Sequence, residues 1–302
     1  MGERRVIVSG GTGFVGRFVV ERLLEEGYAV TVTARNAPSA GTFSGPVLFV
    51  ADTLEPDEDH HAQTFAGADY FVHCAFDHVP GKYRGGEGND PAGFRRRNLD
   101  GTLARFRTAK AAGVKRVVFL SSRAVYGDQQ AGTVLDEDTR THPNSLYGEV
   151  KLACEQGLTE LADDNFRGVS LRVTGVYGPP PVGRSHKWAR LVADYCAGRP
   201  VASRQGTEVH GDDLAWAALT ALTARLEKPH DVFCVSDILV DNADIAAIIA
   251  EQTSVRHELP ERCDPSRYNQ MNAGKLKALG WRPGGRPLLE TSVRELADPL
   301  KT

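Results

Sequence analysis

The chain has 302 residues, of which 41% are hydrophobic and 25% charged, with a formal net charge of −3. This composition is typical of a soluble globular protein that buries a substantial core, and it gives no support for nucleic-acid binding or an anionic membrane surface. No apolar run is long enough to span a membrane, and the N-terminus leads directly into a predicted strand, so we expect no signal peptide. The five cysteines lack metal-ligand spacing. They indicate reduced thiols, a cytoplasmic location and no metal site.

The segment from Val6 to Gly16 is the most informative part of the chain. A short β-branched strand enters a turn with glycines at positions 10, 13 and 16, and an amphipathic helix follows directly. A diphosphate requires close backbone approach and free N–H donors, which a glycine turn at a helix N-terminus supplies. We expect Gly10 to make the tight turn, Gly13 to admit the phosphates and Gly16 to let the helix pack on the strand. The pattern predicts dinucleotide binding, with a plain tight turn as the alternative.

Strands alternate with helices through the first 178 residues. We predict strands at 4–9, 29–34, 47–50, 69–73, 116–121 and 169–173, and helices at 14–27, 92–112 and 146–162. This alternation predicts an α/β fold, a Rossmann-type doubly wound parallel sheet with helices on both faces. The loop from Val79 to Pro91, rich in glycine and charge, is either a substrate lid or a solvated surface loop.

The pattern becomes less regular after Gly178. We predict helices near 186–197, 212–225 and 241–252, a strand at 232–235 and short helical pieces over 274–297. We therefore expect a dinucleotide-binding domain at residues 1–178 and a smaller C-terminal substrate-binding lobe at 179–302. Some segments of this lobe are expected to return to the main sheet.

Tyr147 and Lys151 stand four residues apart on a predicted helix and therefore share one face. A lysine ammonium beside a phenol favours the phenolate, which predicts a tyrosine able to act as general acid or base. Ser122 ends the fifth predicted strand, where a hydroxyl can hydrogen-bond a carbonyl oxygen as charge develops on it. A tyrosine–lysine pair with this spacing also arises by chance, and a serine there is, by itself, more often a cap or turn residue.

Several segments together resemble the extended short-chain dehydrogenase/reductases, the NAD-dependent epimerase/dehydratase family. They are Gly10–Gly16, Ser121–Gly127, Tyr147–Lys151, Leu171-Arg172 with Val176–Pro179, and Val209–Ala215. The resemblance runs from residue 4 to about residue 220. It implies that Ser122 polarises the substrate oxygen, that Tyr147 transfers the proton, and that Lys151 binds the nicotinamide ribose and tunes the tyrosine.

The resemblance also implies a set of cofactor-binding residues. They are Gly10, Thr12, Gly13, Phe14, Val15, Gly16, Arg35, Asp52, Thr53, Cys74, Ala75, Phe76, Asn98, Tyr147, Lys151 and Val176. Asp52 is implied to bind the adenine amino group, and Asn98 is implied to face the cofactor from the helix predicted at 92–112. We expect His73 to be a satisfied core histidine and Cys74 to serve packing. The family further implies a homodimer formed through its fourth and fifth helices, which here are the helices predicted at 92–112 and 146–162.

One departure from the family pattern concerns the cofactor. NAD-specific members end the second strand with an acidic residue that binds the adenosine ribose hydroxyls. Here Ala34 stands at that position and Arg35 follows it. A guanidinium can bind a 2′-phosphate as a planar charged fork, so the change predicts a preference for NADP(H). The alternative is a surface arginine without a ligand.

Two further departures concern the substrate. Arg123 and Ala124 stand where sugar-nucleotide 4,6-dehydratases carry an Asp-Glu pair, which argues against dehydration. Gly175 and Gly206 stand where sugar-nucleotide epimerases hold the diphosphate with an asparagine and an arginine. Basic residues close by in sequence that would substitute are Arg184, His186, Lys187 and Arg204. The plainer interpretation is a substrate without a nucleotide.

These observations predict an NAD(P)-dependent oxidoreductase that transfers hydride at a carbinol or ketone carbon of a small polar substrate, with sugar-like molecules among the candidates. The alternative is a sugar or sugar-nucleotide 4-epimerase that uses the same Ser/Tyr/Lys set. A non-catalytic dinucleotide sensor is a third interpretation, although a sensor would not need all three residues. We expect a small-molecule partner, a homodimer, and neither nucleic-acid nor membrane binding.

Overall fold

The computed structural model describes residues 4–56, 61–79 and 85–298. The strands are β1 (Arg5–Ser9), β2 (Ala29–Ala34), β3 (Leu48–Ala51), β4 (Tyr70–His73), β5 (Arg116–Ser122), β6 (Arg167–Val173), β7 (Gly175–Tyr177), β8 (Gln205–His210), β9 (His230–Val235) and β10 (Ile238–Asp241). The helices are α1 (Phe14–Glu25), α2 (His61–Phe65), α3 (Pro91–Arg95), α4 (Gly101–Ala111), α5 (Leu146–Leu161), α6 (Ala189–Cys196), α7 (Gly211–Thr223), α8 (Asn242–Thr253), α9 (Gly274–Ala278) and α10 (Gly285–Ala297).

The main sheet has seven parallel strands in the order β3-β2-β1-β4-β5-β6-β9. The chain builds outward from β1 in one direction and then from β4 in the other, so the strand order reverses between β1 and β4. In open α/β sheets, ligands bind in the crevice beyond the carboxyl ends of the strands at such a switch point. The predicted doubly wound α/β fold is confirmed, and it locates the crevice.

Alternation along the buried strands gives the sheet two apolar faces. In β1, Val6 and Val8 join the apolar cluster that α1 and α7 cover, whereas Ile7 joins the opposite cluster under α4 and α5. All three side chains are at most 2% exposed. Successive strand residues point to opposite faces, so a continuous apolar run indicates a strand covered on both sides.

The second half of the chain contributes to the main sheet and also forms a small sheet of its own. Strand β9 pairs with β6, while β7, β8 and β10 form a three-stranded sheet in the order β10-β8-β7. This small sheet was not predicted, because β7 has three residues and β8, QGTEVH, lacks apolar alternation. A separate apolar cluster around Trp188, Ile245 and Leu289 forms the core of this region. The domain boundary at residue 178 stays a prediction.

Other elements differ from the sequence expectations in detail. The helix predicted over 92–112 consists of α3, a π-helical turn at Arg96–Asp100 and α4, and the short α2 was not predicted. The loop predicted over 79–91 lies partly outside the described residues.

All five cysteines are free thiols. Within the described ranges, no helix combines the length and apolarity that a bilayer crossing requires, and no group of three or more His, Cys, Asp or Glu side chains is placed to hold a metal ion.

Candidate cofactor and active site

The turn after β1 is closely packed and requires glycine. Gly10 has a φ of +66°, and a Cβ on it would lie 2.7 Å from the Cα of Ala75. A Cβ on Gly16 would collide with the carbonyl oxygen of Gly10. Gly13 is the N-cap of α1, and no side chain caps that helix. The first-turn N–H groups and the positive end of the helix dipole are therefore suited to an anion, and this turn fits a dinucleotide diphosphate.

The loop after β4 is held against this turn by backbone and amide hydrogen bonds. The Cys74 N–H donates to the Ser9 carbonyl at 3.1 Å. The side-chain oxygen of Asn98 accepts from the Asp77 N–H at 2.7 Å, and its Nδ2 donates to the carbonyls of Asp77 at 2.8 Å and Phe94 at 3.0 Å. Asn98 thus fixes the loop that lines the crevice. Any direct contact of its amide with the cofactor stays a prediction.

His73 and Cys74 have the environments of packing residues. The two ring nitrogens of His73 lie 2.6 Å from Ser9 Oγ and 2.9 Å from Thr102 Oγ1. Burial lowers the pKa of His73 well below its ordinary value, so the ring is neutral. Burial also raises the pKa of the Cys74 thiol to about 12, which makes it a poor nucleophile. Both residues therefore match the core roles expected from the sequence.

Helix α5 brings Tyr147 and Lys151 to the edge of the sheet where the strands have their carboxyl ends. Ser145 caps this helix by accepting a hydrogen bond from the Gly148 N–H at 3.2 Å. Lys151 Nζ donates to the Leu120 carbonyl at 2.6 Å and lies 5.9 Å from the centre of the Tyr147 ring. The expected pairing of phenol and ammonium on one helix face is therefore present.

The Lys151 ammonium lies between two aromatic rings. Its Nζ is 4.4 Å from the ring centre of Phe76 and 4.8 Å from that of Phe119. Burial lowers the pKa of Lys151 to about 8, while the rings and the Leu120 carbonyl stabilise the charged form. The Phe76 ring also contacts Tyr147 edge-on at 5.1 Å. The resemblance implied that Phe76 binds the cofactor, and the sequence gave no signal for this use of its ring.

Ser122 caps the helical turn Arg123–Tyr126 and still has a hydroxyl hydrogen to donate. Its Oγ accepts a hydrogen bond from the Ala124 N–H at 3.2 Å, and the residue is 9% exposed. That bond uses an oxygen lone pair, so the hydroxyl hydrogen stays available for a substrate oxygen. The cap and catalytic interpretations of Ser122 are therefore compatible.

Asp52 is held in a buried ion pair. Its carboxylate accepts from Nε of Arg105 at 3.1 Å, from a second nitrogen of the same guanidinium, and from Thr33 Oγ1 at 3.3 Å. Arg105 is 1% exposed and also donates to the Thr53 carbonyl. Arg105, which fixes the end of β3, was not identified from the sequence. The contact of Asp52 with adenine stays a prediction.

The remaining predicted cofactor residues surround the same crevice. Arg35 follows the end of β2, and its Nη1 lies 3.2 Å from Oδ1 of Asp77. Thr12, Phe14 and Val15 are partly exposed in the glycine turn and the first turn of α1. Val176 lies in β7 and packs partly buried against the main core.

In the small sheet, a buried glutamate fills the space beside two glycines. Glu208 in β8 pairs with Gly175 in β7, and its side chain forms an ion pair with Lys187. A Cβ on Gly175 would lie 2.5 Å from the Glu208 carboxylate, and one on Gly206 would lie 3.8 Å from it. Both glycines stood out in the sequence, but Glu208 did not, because a single glutamate in a polar strand carries no motif.

The strand register places Glu208 close to the carboxyl end of β5. Ser122 pairs in register with Val173, and Gly175 follows two residues later. Glu208 therefore lies near the same sheet edge as the candidate catalytic serine. Burial raises the pKa of Glu208 and lowers the pKa of Lys187, while their mutual attraction opposes both shifts.

A second buried ion pair lies beneath the candidate catalytic helix. Arg172 of β6 donates to Glu155 of α5 through Nη2 at 2.8 Å and through Nε at 3.2 Å. The side chains are 7% and 4% exposed, and the Ser121 hydroxyl donates to the same carboxylate. This pair ties α5, with Tyr147 and Lys151, to the sheet.

Comparisons with known proteins agree with this architecture. The chain matches the model of the NAD dependent epimerase/dehydratase family over residues 6–235. UDP-glucose 4-epimerase of Streptomyces lividans is 30% identical over 318 residues, covering 92% of this chain and 91% of that protein. UDP-glucose 4-epimerase of Thermus thermophilus, solved with NAD, has a TM-score of 0.77 at 26% identity, covering 97% of this chain and 98% of the other. UDP-glucose 4-epimerase of Thermotoga maritima, at 24% identity, has the same fold with a TM-score of 0.80 over 98% of both chains.

The fold and the site define an NAD(P)-dependent enzyme of the Rossmann type. The chain belongs to the NAD-dependent epimerase/dehydratase family, as its motifs implied. Its activity therefore lies among the dehydrogenase, reductase and epimerase reactions of that family.

Proposed function

We propose that this protein is an NAD(P)-dependent oxidoreductase acting at a carbinol or ketone carbon of a small, polar, sugar-like substrate. The proposal is carried by the placement of Tyr147 and Lys151, which share one face of α5 and both contact Phe76. Phe76 directly follows Ala75, which packs against Gly10 of the glycine turn, and Ser122 is the last residue of β5. When bound, the nicotinamide supplies or accepts the hydride. Tyr147 moves the hydroxyl proton, and Ser122 donates a hydrogen bond to the same oxygen as charge develops on it.

Lys151 supports this chemistry in two ways. Its ammonium, held by the Leu120 carbonyl, keeps further N–H donors for the hydroxyls of the nicotinamide ribose. Its positive charge favours the phenolate form of Tyr147, which assists proton transfer near neutral pH. Since burial lowers the pKa of Lys151 only to about 8, the charged form prevails at pH 7.

The substrate side favours the oxidoreductase over the main alternative, a sugar or sugar-nucleotide 4-epimerase. The named relatives are UDP-glucose 4-epimerases, and the alternative rests on them. In this chain, the Glu208 carboxylate fills the space beside Gly175 and Gly206 and is already paired with Lys187. A buried anion repels a diphosphate, and Lys187, the ion-pair partner of Glu208, is already engaged. A substrate without a nucleotide fits this cleft better.

Arg35 supports a preference for NADP(H) over NAD(H). No carboxylate stands at Ala34 to bind ribose hydroxyls or to repel a 2′-phosphate. The guanidinium of Arg35 is at the crevice edge and can form two parallel hydrogen bonds to a phosphate. The family resemblance alone supports a homodimer through α4 and α5. The free cysteines support a cytoplasmic location.

A turnover screen tests the proposed reaction. NADPH and NADP⁺ are offered with ketones, alcohols, free sugars and sugar nucleotides, and absorbance reports net oxidation or reduction of the cofactor. We expect many turnovers of added cofactor with a small non-nucleotide substrate, and almost none with the Tyr147→Phe variant. Interconversion of two sugar nucleotides without net change of the cofactor would establish the 4-epimerase instead.

A further inference from the structure

An ion pair crosses the dinucleotide crevice above the glycine turn. In the main sheet, β2 and β4 lie on either side of β1, so their ends are about 10 Å apart, since neighbouring strands are spaced by roughly 4.8 Å. Arg35 directly follows β2, and Asp77 follows β4 by four residues. Their side chains meet, with Arg35 Nη1 3.2 Å from Asp77 Oδ1. The pair therefore bridges the end of β1, where the turn at Gly10 begins.

The two partners differ in how firmly they are held. Both the N–H and the carbonyl of Asp77 bind the buried amide of Asn98, and Arg97 Nε contacts its other carboxylate oxygen at 2.7 Å. The Asp77 side chain is 25% exposed, whereas that of Arg35 is 71% exposed. Asp77 is consequently a fixed acceptor, and Arg35 is the partner free to move.

Charge decides which ligands compete with Asp77 for Arg35. The Asp77 carboxylate contacts both Arg35 and Arg97, and the contact of Arg97 with Asp90 is longer, at 3.4 Å. A 2′-phosphate carries close to two negative charges and accepts several charged hydrogen bonds, so it competes with a single carboxylate. A 2′-hydroxyl is neutral and does not.

We propose that Asp77 sets the cofactor selectivity of this protein by holding Arg35 across the crevice and releasing it to a 2′-phosphate. This inference rests on the proposed preference for NADP(H) and names a residue that limits it. Because the Arg35–Asp77 pair is largely exposed, its loss changes affinity moderately. Asp77→Asn is expected to tighten NADP⁺ binding about two- to fivefold and to leave NAD⁺ binding nearly unchanged.

A double-mutant cycle tests whether Asp77 acts through Arg35. Isothermal titration measures NADP⁺ and NAD⁺ binding to the wild type, Asp77→Asn, Arg35→Ala and the double variant. Asp77→Asn is expected to tighten NADP⁺ binding in the wild-type background and to have no effect after Arg35→Ala, because no guanidinium is then released. Asp77→Glu keeps the charge and should retain wild-type selectivity.

Asp69→Asn serves as the matched control. Asp69 lies before β4, at the end of the strand opposite Asp77, and pairs with Lys115 at 2.7 Å. Its loss removes the same charge far from the crevice, so cofactor binding should not change.

The outcomes separate this inference from the proposal on which it rests. Unchanged or weaker NADP⁺ binding by Asp77→Asn would overturn the inference, as would equal tightening with and without Arg35. If Arg35→Ala still lowers NADP⁺ affinity in those cases, the proposed cofactor preference stands alone. If Arg35→Ala leaves NADP⁺ and NAD⁺ binding unchanged, both fail.

Discussion

Two buried ion pairs of this protein differ in what surrounds them. Arg172 meets Glu155 through two nitrogen atoms, and the Ser121 hydroxyl completes the carboxylate's hydrogen bonds. Lys187, by contrast, meets Glu208 through a single flexible ammonium, and its side chain is 28% exposed. The first pair is closed within the fold, whereas the second reaches solvent through the partly exposed Lys187 side chain.

The comparison distinguishes an ion pair that holds two elements of the fold together from one whose lysine also reaches solvent. The Arg172–Glu155 pair fixes α5, so the residues for proton transfer are supported by a rigid network. The Lys187–Glu208 pair lies beside Gly175 and Gly206, which leave no side chain of their own there. The segment with Tyr147 and Lys151 thus carries the family motif, whereas Gly175 and Gly206 depart from the pattern of the sugar-nucleotide epimerases.

The largest expected effect is on kcat and comes from the loss of the Tyr147 hydroxyl. Tyr147→Phe removes the phenolic proton but keeps the ring packed against Phe76. We expect kcat to fall by about 10²–10⁴-fold while cofactor affinity stays constant, measured by steady-state kinetics and titration. Lys151→Met should lower both quantities, because the lysine binds the ribose and assists the tyrosine. A Tyr147→Phe enzyme that keeps more than about a tenth of wild-type kcat would show that the acid–base assignment is wrong.

Neutralising the two glutamates in turn sharpens the contrast between the ion pairs. Glu155→Gln leaves the Arg172 charge buried without its counter-ion and should lower the free energy of unfolding by about 3–5 kcal/mol. Glu208→Gln should cost only about 1 kcal/mol, because the partly exposed Lys187 can turn toward solvent. Urea unfolding of both variants gives the comparison. Equal losses would mean that both pairs are structural.

A smaller effect, on the affinity for NADP(H), is expected when Arg35 at the crevice edge is replaced. Charged hydrogen bonds to phosphate are strong, but Arg35 is 71% exposed, which reduces the net gain. Arg35→Ala should therefore weaken NADP(H) binding about ten- to a hundredfold and barely change NAD(H) binding. Titration of both cofactors into wild type and variant measures this. Equal affinities in both proteins would show that Arg35 does not contact the cofactor.

The pH dependence of cofactor binding tests the environment of Lys151. Its pKa in the free protein is lowered to about 8, so the ammonium is lost as pH rises through that value. Dinucleotide affinity should then fall, by up to about tenfold per pH unit above pH 8. The Tyr147→Phe background removes the titration of the phenol from the measurement. Affinity that stays constant to pH 9.5 in this background would contradict the assignment of Lys151 to the ribose.

The sequence predicted those parts of the molecule that depend on local pattern. Apolar runs such as β1 and the glycine turn led to the parallel sheet, and the Tyr147–Lys151 spacing led to the helix that bears both. Contacts between distant segments were not predictable in the same way. The Arg35–Asp77 pair depends on strand order, and Glu208 acquires its place only when β8 pairs with the short β7. Neither the polar strand nor the single carboxylate has a periodic signal.

The proposed function requires a substrate cleft that rejects a nucleotide diphosphate. Calorimetric titration of UDP-glucose into the NADP⁺-loaded protein tests this most directly, with Glu208→Gln as the comparison. Neutralising Glu208 frees Lys187 for an anion, so the variant should gain affinity for UDP-glucose. We predict no detectable binding to the wild type at millimolar UDP-glucose and measurable binding to the variant. Micromolar binding of UDP-glucose to the wild type would contradict the account.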